Sequence, residues 1–219
     1  MVHLKKFKKN AKDLFDSARH IDLPPEIPQT ALAKAKLFSN RASSLELLVE
    51  CKNFLEIGVL AGDFSKQLLE IAGLEKLTLV DFFESDDWPW IKPARFTVAS
   101  HLDFIVNEFQ GKPQVEILKG DSHNILKTLP SSSYDFIYID ANHSYEGVQA
   151  DCIAALPLLR KNGIICFNDY IMHDYRTNRD YGIVKVVNEL LVNNSQFSVI
   201  GLALNNHLFS DIYLQYCPD

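Results

Sequence analysis

Residues 53–70, N-F-L-E-I-G-V-L-A-G-D-F-S-K-Q-L-L-E, constrain the fold more tightly than any other stretch of the chain. Phe54, Leu55 and Ile57 make a short apolar run of strand type. Gly58 and Gly62 bracket a turn, and Phe64, Leu68 and Ile71 then recur at helical spacing. Glycine permits backbone angles closed to other residues and lets a ligand approach the main chain. A helix that starts just after the turn points its unpaired N–H groups at the same place. Strand, glycine turn and helix together make a nucleotide-binding corner, and the rest of the chain has to supply strands beside it.

The pattern downstream does so. Residues 76–80 read as a strand ending at Asp81. Residues 115–118 read as another, followed by Gly120, Asp121 and Ser122. Two more cover 136–139, ending at Asp140, and 163–167, ending at Asn168, Asp169 and Tyr170. Helices are expected over 98–109, 124–129, 145–159 and 183–191, and two final strands over 197–202 and 208–216. Residues 82–93, with Trp88 and Trp90, lack periodicity and read as a long loop. Alternating β and α units followed by a β-hairpin predict an α/β, doubly wound, mostly parallel sheet. Ligands of such sheets sit outside the carboxyl ends of the strands. Glu56, Asp81, Asp121, Asp140, Asn168 and Asp169 all fall at those ends.

Upstream, residues 30–49 read as helical with a break near Ser39 and Asn40. Residues 4–19 read as a basic amphipathic helix, set apart by Pro24, Pro25 and Pro28. The division expected is an N-terminal helical extension or cap over 1–50 and a main domain over 51–219. The basic helix suits packing on its own domain or on a sister subunit, so a homo-oligomer through this region is an expectation. Residues 1–20 hold six Lys/Arg against two Asp, a net +4, so the rest of the chain carries −10. A body that acidic argues against a nucleic-acid-binding face. No run reaches the ~18 apolar residues of a membrane span. Four scattered cysteines, Cys51, Cys152, Cys166 and Cys217, have no zinc-site spacing and suit a reducing, cytoplasmic setting.

Chemistry concentrates in two places. The first is the turn, whose spacing is E-x-G-x-x-x-G with Leu60 where a dinucleotide's pyrophosphate needs glycine. Asp81, at the end of the next strand, is placed to accept hydrogen bonds from a ribose diol. The second is D-x-x-H, Asp140 and His143, with Asp169 ending the neighbouring strand. Two carboxylates in one crevice call for a cation or proton between them. Hard oxygen donors suit Mg²⁺. A metal there can lower the pKa of a substrate hydroxyl, and His143 can take the proton.

The succession L-E-I-G-V-L-A-G, L-V-D, K-G-D-S, Y-I-D-A-N-H-S-Y-E-G-V and L-L-R-K-N-G-I-I-C-F-N-D-Y resembles class I S-adenosylmethionine-dependent methyltransferases. It is most similar to the branch with catechol and macrolide-sugar O-methyltransferases, over about residues 50–215. The resemblance implies a Rossmann-like sheet of seven strands, the last antiparallel. It implies that Glu56, Gly58 and Gly62 hold the methionine end of the donor, that Asp81 binds its ribose, and that Asp121 and Ser122 border its adenine. It implies Asp140 and Asp169 as metal ligands and His143 as base. A third ligand position falls on Tyr170 by the catechol pattern and on Asn168, neutral but usable, by the sugar pattern. The function expected is O-methylation of a small hydroxylated metabolite, of sugar or polyketide type, with Mg²⁺ assistance as an option. Two rivals stand beside it: a cofactor-binding protein without catalysis, and a nicotinamide-dependent oxidoreductase, against which Leu60 argues.

Overall fold

A computed structural model describes residues 23–85, 100–205 and 209–218. The basic stretch 4–19, Trp88, Trp90, the first residues of the expected helix 98–109 and Asn206 lie outside the described residues. In chain order, the strands are β1 (Lys36–Phe38), β2 (Asn53–Ile57), β3 (Lys76–Asp81), β4 (Val115–Lys119), β5 (Tyr134–Ile139), β6 (Leu159–Phe167), β7 (His173–Asp174), β8 (Arg179–Asp180), β9 (Phe197–Leu204) and β10 (Ser210–Tyr216). The α-helices are α1 (Arg41–Ser44), α2 (Asp63–Leu69), α3 (His101–Glu108), α4 (Ser122–Leu126), α5 (Tyr145–Ala155) and α6 (Ile183–Asn193).

Eight strands form one sheet in the order β1-β9-β10-β6-β5-β2-β3-β4, and β7 and β8 form a small separate hairpin. Within the sheet β10 runs antiparallel to both neighbours, and every other pairing is parallel. This is the Rossmann-like, doubly wound arrangement. Strand order departs in both directions from β2, so the crevice between β2 and β5 is the topological switch point, where open α/β sheets take their ligands.

Alternation along the strands makes two cores. One face carries Leu55, Ile57, Ile137, Ile139, Ile165 and Phe167 against α5 and α6, which contribute Val148, Cys152, Val187 and Leu191. The opposite face carries Phe54, Leu79, Phe136, Cys166 and Tyr213 against Phe64 and Leu68 of α2 and Phe104 and Ile105 of α3. Both faces are covered, as parallel sheets require. Pro157 ends α5 in a 3-10 turn, Leu156–Leu158, and β6 begins at Leu159, earlier than its apolar core at 163–167 suggested.

Residues 30–49 do not form the expected helix. They divide into a 3-10 turn (Gln29–Leu32), β1, α1 and a second 3-10 turn (Leu45–Leu48). Asn40 starts α1, its side chain accepting a hydrogen bond from the Ser43 N–H. Tertiary pairing overrides helical propensity here: β9 would otherwise end the sheet with unpaired backbone groups, and Lys36, Leu37 and Phe38 cover it in parallel register with Gly201, Leu202 and Ala203. The sheet therefore has an eighth strand beside the seven expected, and the turn after that strand carries Arg41 to the sheet's carboxyl edge.

Candidate functional site

The strand ends are locked side by side by backbone hydrogen bonds. Gly58 N–H donates to Val80 O, Asp140 N–H to Ile57 O, Asn168 N–H to Ile139 O and Gly120 N–H to Asp81 O. Gly58 sits at φ +86°, and a Cβ there would lie 2.1 Å from the carbonyl oxygen of Asp140. The glycine thus lets the ends of β2 and β5 touch. Gly62, at φ +71°, starts α2.

Between these glycines the turn is held by Asp81. Its Oδ2 accepts from the N–H groups of Val59 (2.7 Å) and Leu60 (3.1 Å), and its Oδ1 from Phe83 N–H (2.9 Å). Leu60 takes the left-handed conformation at φ 47°, and its carbonyl lies 2.6 Å from His101 Nε2. Below the turn Glu56 is buried, with the Ser65 hydroxyl donating to its Oε2 at 2.6 Å. Burial pushes the Glu56 carboxyl up to about 8; Asp140 and Asp81 add to the push, while Ser65 and Arg41 oppose it. The site therefore favours the protonated acid, and Glu56 forms no ion pair among the described residues.

Asp121 and Ser122 lie one strand further out, at the end of β4. Asp121 caps α4, its Oδ1 accepting from Asn124 N–H at 3.0 Å. The Ser122 hydroxyl donates to Asp151 at 2.5 Å.

Across the switch point Asp140, His143, Asn168 and Asp169 come together. His143 Nε2 lies 3.2 Å from Asp140 Oδ1. A carboxylate only accepts, so Nε2 carries the proton in that contact and Nδ1 is the basic nitrogen. Burial works against charging His143, but the hydrogen bond to Asp140 and the charges of Asp140, Asp169 and Asp174 outweigh it and hold its pKa above the ordinary value. Tyr181, following the β7–β8 hairpin, packs on the imidazole with ring centroids 4.6 Å apart. Asp169 takes the left-handed conformation at φ 51°. Burial, with Asp140 beside it, raises its carboxyl to about 6.

Four participants had no motif to announce them: Arg41, Tyr138, Asp211 and Ser65. Arg41 reaches in from α1. Its Nε donates to Asp211 Oδ2 (2.5 Å), and its Nη2 to Asp211 Oδ1 (3.1 Å) and Asn168 Oδ1 (2.7 Å). Its guanidinium also lies over the rings of Phe64 and Tyr138 at 5.0 and 5.5 Å. The amide of Asn168 in turn donates to Asp140 Oδ1 at 2.6 Å. The Tyr138 hydroxyl is buried with no hydrogen-bond partner among the described residues. One signal was available in advance: an Asp inside an apolar strand, as Asp211 is, calls for a buried cation.

This donor set does not fit a Mg²⁺ ion. Asn168, the third ligand by the sugar pattern, spends its only side-chain oxygen on Arg41 and turns its N–H toward Asp140. Both Asp211 oxygens are also taken by Arg41. Among the described residues no group of three or more His, Cys, Asp or Glu side chains is arranged to hold a metal ion. The glycine-turn end, by contrast, holds the buried Glu56 carboxyl, which has no ion-pair partner among the described residues.

Among known proteins, a family model described as a methyltransferase domain matches residues 55–170. No curated protein sequence matches the chain. Solved structures share the fold. An O-methyltransferase from Bacillus cereus, in complex with S-adenosylhomocysteine, is 17% identical, with 93% of this chain and 87% of that one covered and a TM-score of 0.58. The O-methyltransferase TomG from Streptomyces achromogenes, involved in tomaymycin synthesis and in complex with S-adenosylmethionine, is 17% identical, with 93% and 86% covered and a TM-score of 0.59. An rRNA methylase from Streptococcus thermophilus is 14% identical, with 80% and 95% covered and a TM-score of 0.57. No helix among the described residues is long and apolar enough to cross a membrane.

Proposed function

The chain belongs to the methyltransferase-domain family, and from that premise we propose that it moves the methyl group of S-adenosylmethionine to a hydroxyl oxygen of a small metabolite of sugar or polyketide type. The observation that carries this reading is the contact of the two ends of the site. Gly58 of the turn lies against the backbone of Asp140, whose side chain holds His143. A donor in the turn and an acceptor beside His143 would then meet within one crevice.

S-adenosylmethionine, when bound, supplies an electrophilic methyl carbon on a positively charged sulfur. The rest falls to the chain. Glu56 would give up its proton and pair with the ammonium of the methionine end, in the turn that Gly58 and Gly62 shape. Asp81 keeps lone pairs for a ribose diol while it braces the turn, and Asp121 and Ser122 border the adenine. His143 would accept the acceptor's hydroxyl proton on Nδ1, and the freed oxygen would attack the methyl carbon as the carbon–sulfur pair returns to sulfur. Asp140 fixes the tautomer and steadies the imidazolium that forms. No step is routed through Mg²⁺, because Asn168 Oδ1, the third ligand by the sugar pattern, is engaged by Arg41. The segment before residue 51 acts as a cap on the acceptor side, together with residues 170–181, and the setting is cytoplasmic.

The test is a methyl-transfer assay over a panel of hydroxylated sugars and polyketide-type metabolites, with donor binding followed by calorimetry. Transfer to a hydroxylated acceptor supports the reading. Donor binding with no transfer to any acceptor leaves a binding protein, and tighter binding of NAD than of S-adenosylmethionine overturns the cofactor.

A further inference from the structure

We propose that Arg41 is the built-in cation of the acceptor side, standing in for a divalent metal and positioning His143 through Asn168 and Asp140. The inference rests on the methyltransferase reading and deepens it, because it makes the reaction independent of added metal. Arg41 lies outside the family-matched stretch 55–170, on a turn that follows the extra strand β1.

Geometry carries the argument. A relay of three contacts runs from Arg41 Nη2–H to Asn168 Oδ1 (2.7 Å), from Asn168 Nδ2–H to Asp140 Oδ1 (2.6 Å), and from His143 Nε2–H to the same oxygen (3.2 Å). The guanidinium only donates and the carboxylate only accepts, so the two together fix the sense of the Asn168 amide between them. Its oxygen faces the guanidinium, so its N–H has to face the carboxylate. A metal on Asn168 Oδ1 would displace Arg41 and break the relay at its first step. Arg41 is itself fixed from several sides. It bridges both oxygens of Asp211 and rests on Phe64 and Tyr138, so its planar fork has little freedom to leave. A guanidinium stays charged at any working pH. It therefore supplies permanently what carboxylates crowded in one crevice otherwise recruit from solution. Lysine would keep the charge but could not span Asp211 and Asn168 with one fork.

The test uses the full chain with Mn²⁺ as the probe, read by electron paramagnetic resonance, alongside turnover with and without EDTA. The wild-type protein is expected to show no saturable Mn²⁺ binding at millimolar concentration, and the same turnover after chelation. Arg41→Gln frees Asn168 Oδ1 and both Asp211 oxygens, so it should gain a saturable Mn²⁺ site. It should also lose about 10²-fold in kcat while KM for S-adenosylmethionine holds. Arg41→Lys should recover part of that kcat. Saturable Mn²⁺ binding by the wild type, or turnover abolished by EDTA, overturns the proposal even if Arg41→Gln does not fold. Equal losses of donor affinity and kcat in a folded Arg41→Gln variant with no Mn²⁺ site also overturn it, since that is what a merely structural ion pair would give. Absence of methyl transfer by the wild type strikes the proposed function instead, and the Mn²⁺ measurement still decides the place of Arg41.

Discussion

At the end of β2, Val59 and Leu60 are held by Asp81, which follows them by only 21–22 residues. At the end of β6, Asn168 is held by Arg41, which precedes it by 127 residues, and Arg41 by Asp211, another 170 away from it. The glycine-turn end is a backbone structure: its donors are main-chain N–H groups, and one neighbouring strand suffices to fix them. The carboxylate end is a side-chain structure assembled from α1, β5, β6 and β10. On the proposed function the difference is a division of labour. A cofactor shared by many proteins would be met by a local turn with a fixed backbone. An acceptor that differs from protein to protein would be met by side chains recruited from wherever the fold brings them, including a segment ahead of the common domain.

That division can be broken by mutation. If it holds, changes at the carboxylate end cost turnover and changes at the turn cost donor binding. The largest effect is expected for His143→Ala, which removes the proposed base. Its kcat should fall about 10²–10⁴-fold, while the Kd for S-adenosylmethionine, read by calorimetry, stays where it was. A parallel loss of donor affinity would show that the two ends do not act separately. Next comes Gly58→Ala, at the point where the ends touch. An added Cβ meets the Asp140 carbonyl at 2.1 Å and occupies a left-handed residue. Stability in urea should drop by about 3 kcal/mol or more, and both donor binding and turnover should suffer. A mild effect on all three would mean that β2 and β5 can part without harm to either end.

The legibility of the chain follows the same line. Strand ends at Asp81, Asp140 and Asn168, and the turn at Gly58, stand out because an apolar run or a glycine spacing directly beside each one announces it. The strand β1 does not, because Lys36, Leu37 and Phe38 are three residues whose partner strand lies some 165 positions on. Helical spacing over 30–49 is real as a pattern, yet the need to cover β9 decides the outcome. Arg41 is invisible for the same reason. Nothing beside it in N-R-A-S-S marks a half-buried cation, and only Asp211, far downstream, hints that one is needed. The metal expectation weighed Asp140, Asn168 and Asp169 alone, and the fold also brings Arg41 onto Asn168.

A third prediction concerns pH and sharpens the turn end alone. The Glu56 carboxyl is raised from 4.5 to about 8 by burial first and its acidic neighbours second. The folded protein therefore binds the proton more tightly than the unfolded chain does. The stabilisation from this site is complete below about 4.5 and is lost as pH rises towards about 8. An ammonium-bearing donor needs the carboxylate, so binding releases that proton, and donor affinity should climb by up to tenfold per pH unit from about 6 and level off above about 8. Calorimetry across that range checks it, with Glu56→Gln as control. The variant should bind weakly and keep only whatever pH dependence the donor itself brings. An identical slope in both proteins would take Glu56 out of donor binding.

The smallest effect is expected for Asp121→Ala, and it locates the outer limit of the turn end. Asp121 Oδ1 is spent on the Asn124 N–H, and its neighbour Ser122 is spent on Asp151. Losing the cap should cost about 1 kcal/mol of stability in urea denaturation. A border on the adenine adds contact but no paired charge, so the donor Kd should rise by less than about tenfold. Donor binding weakened as much as in Glu56→Gln would carry the turn end across β3 and onto β4. The backbone-built half of the site would then include a side-chain anchor as well, and the contrast between the two ends would be one of distance along the chain and no longer one of kind.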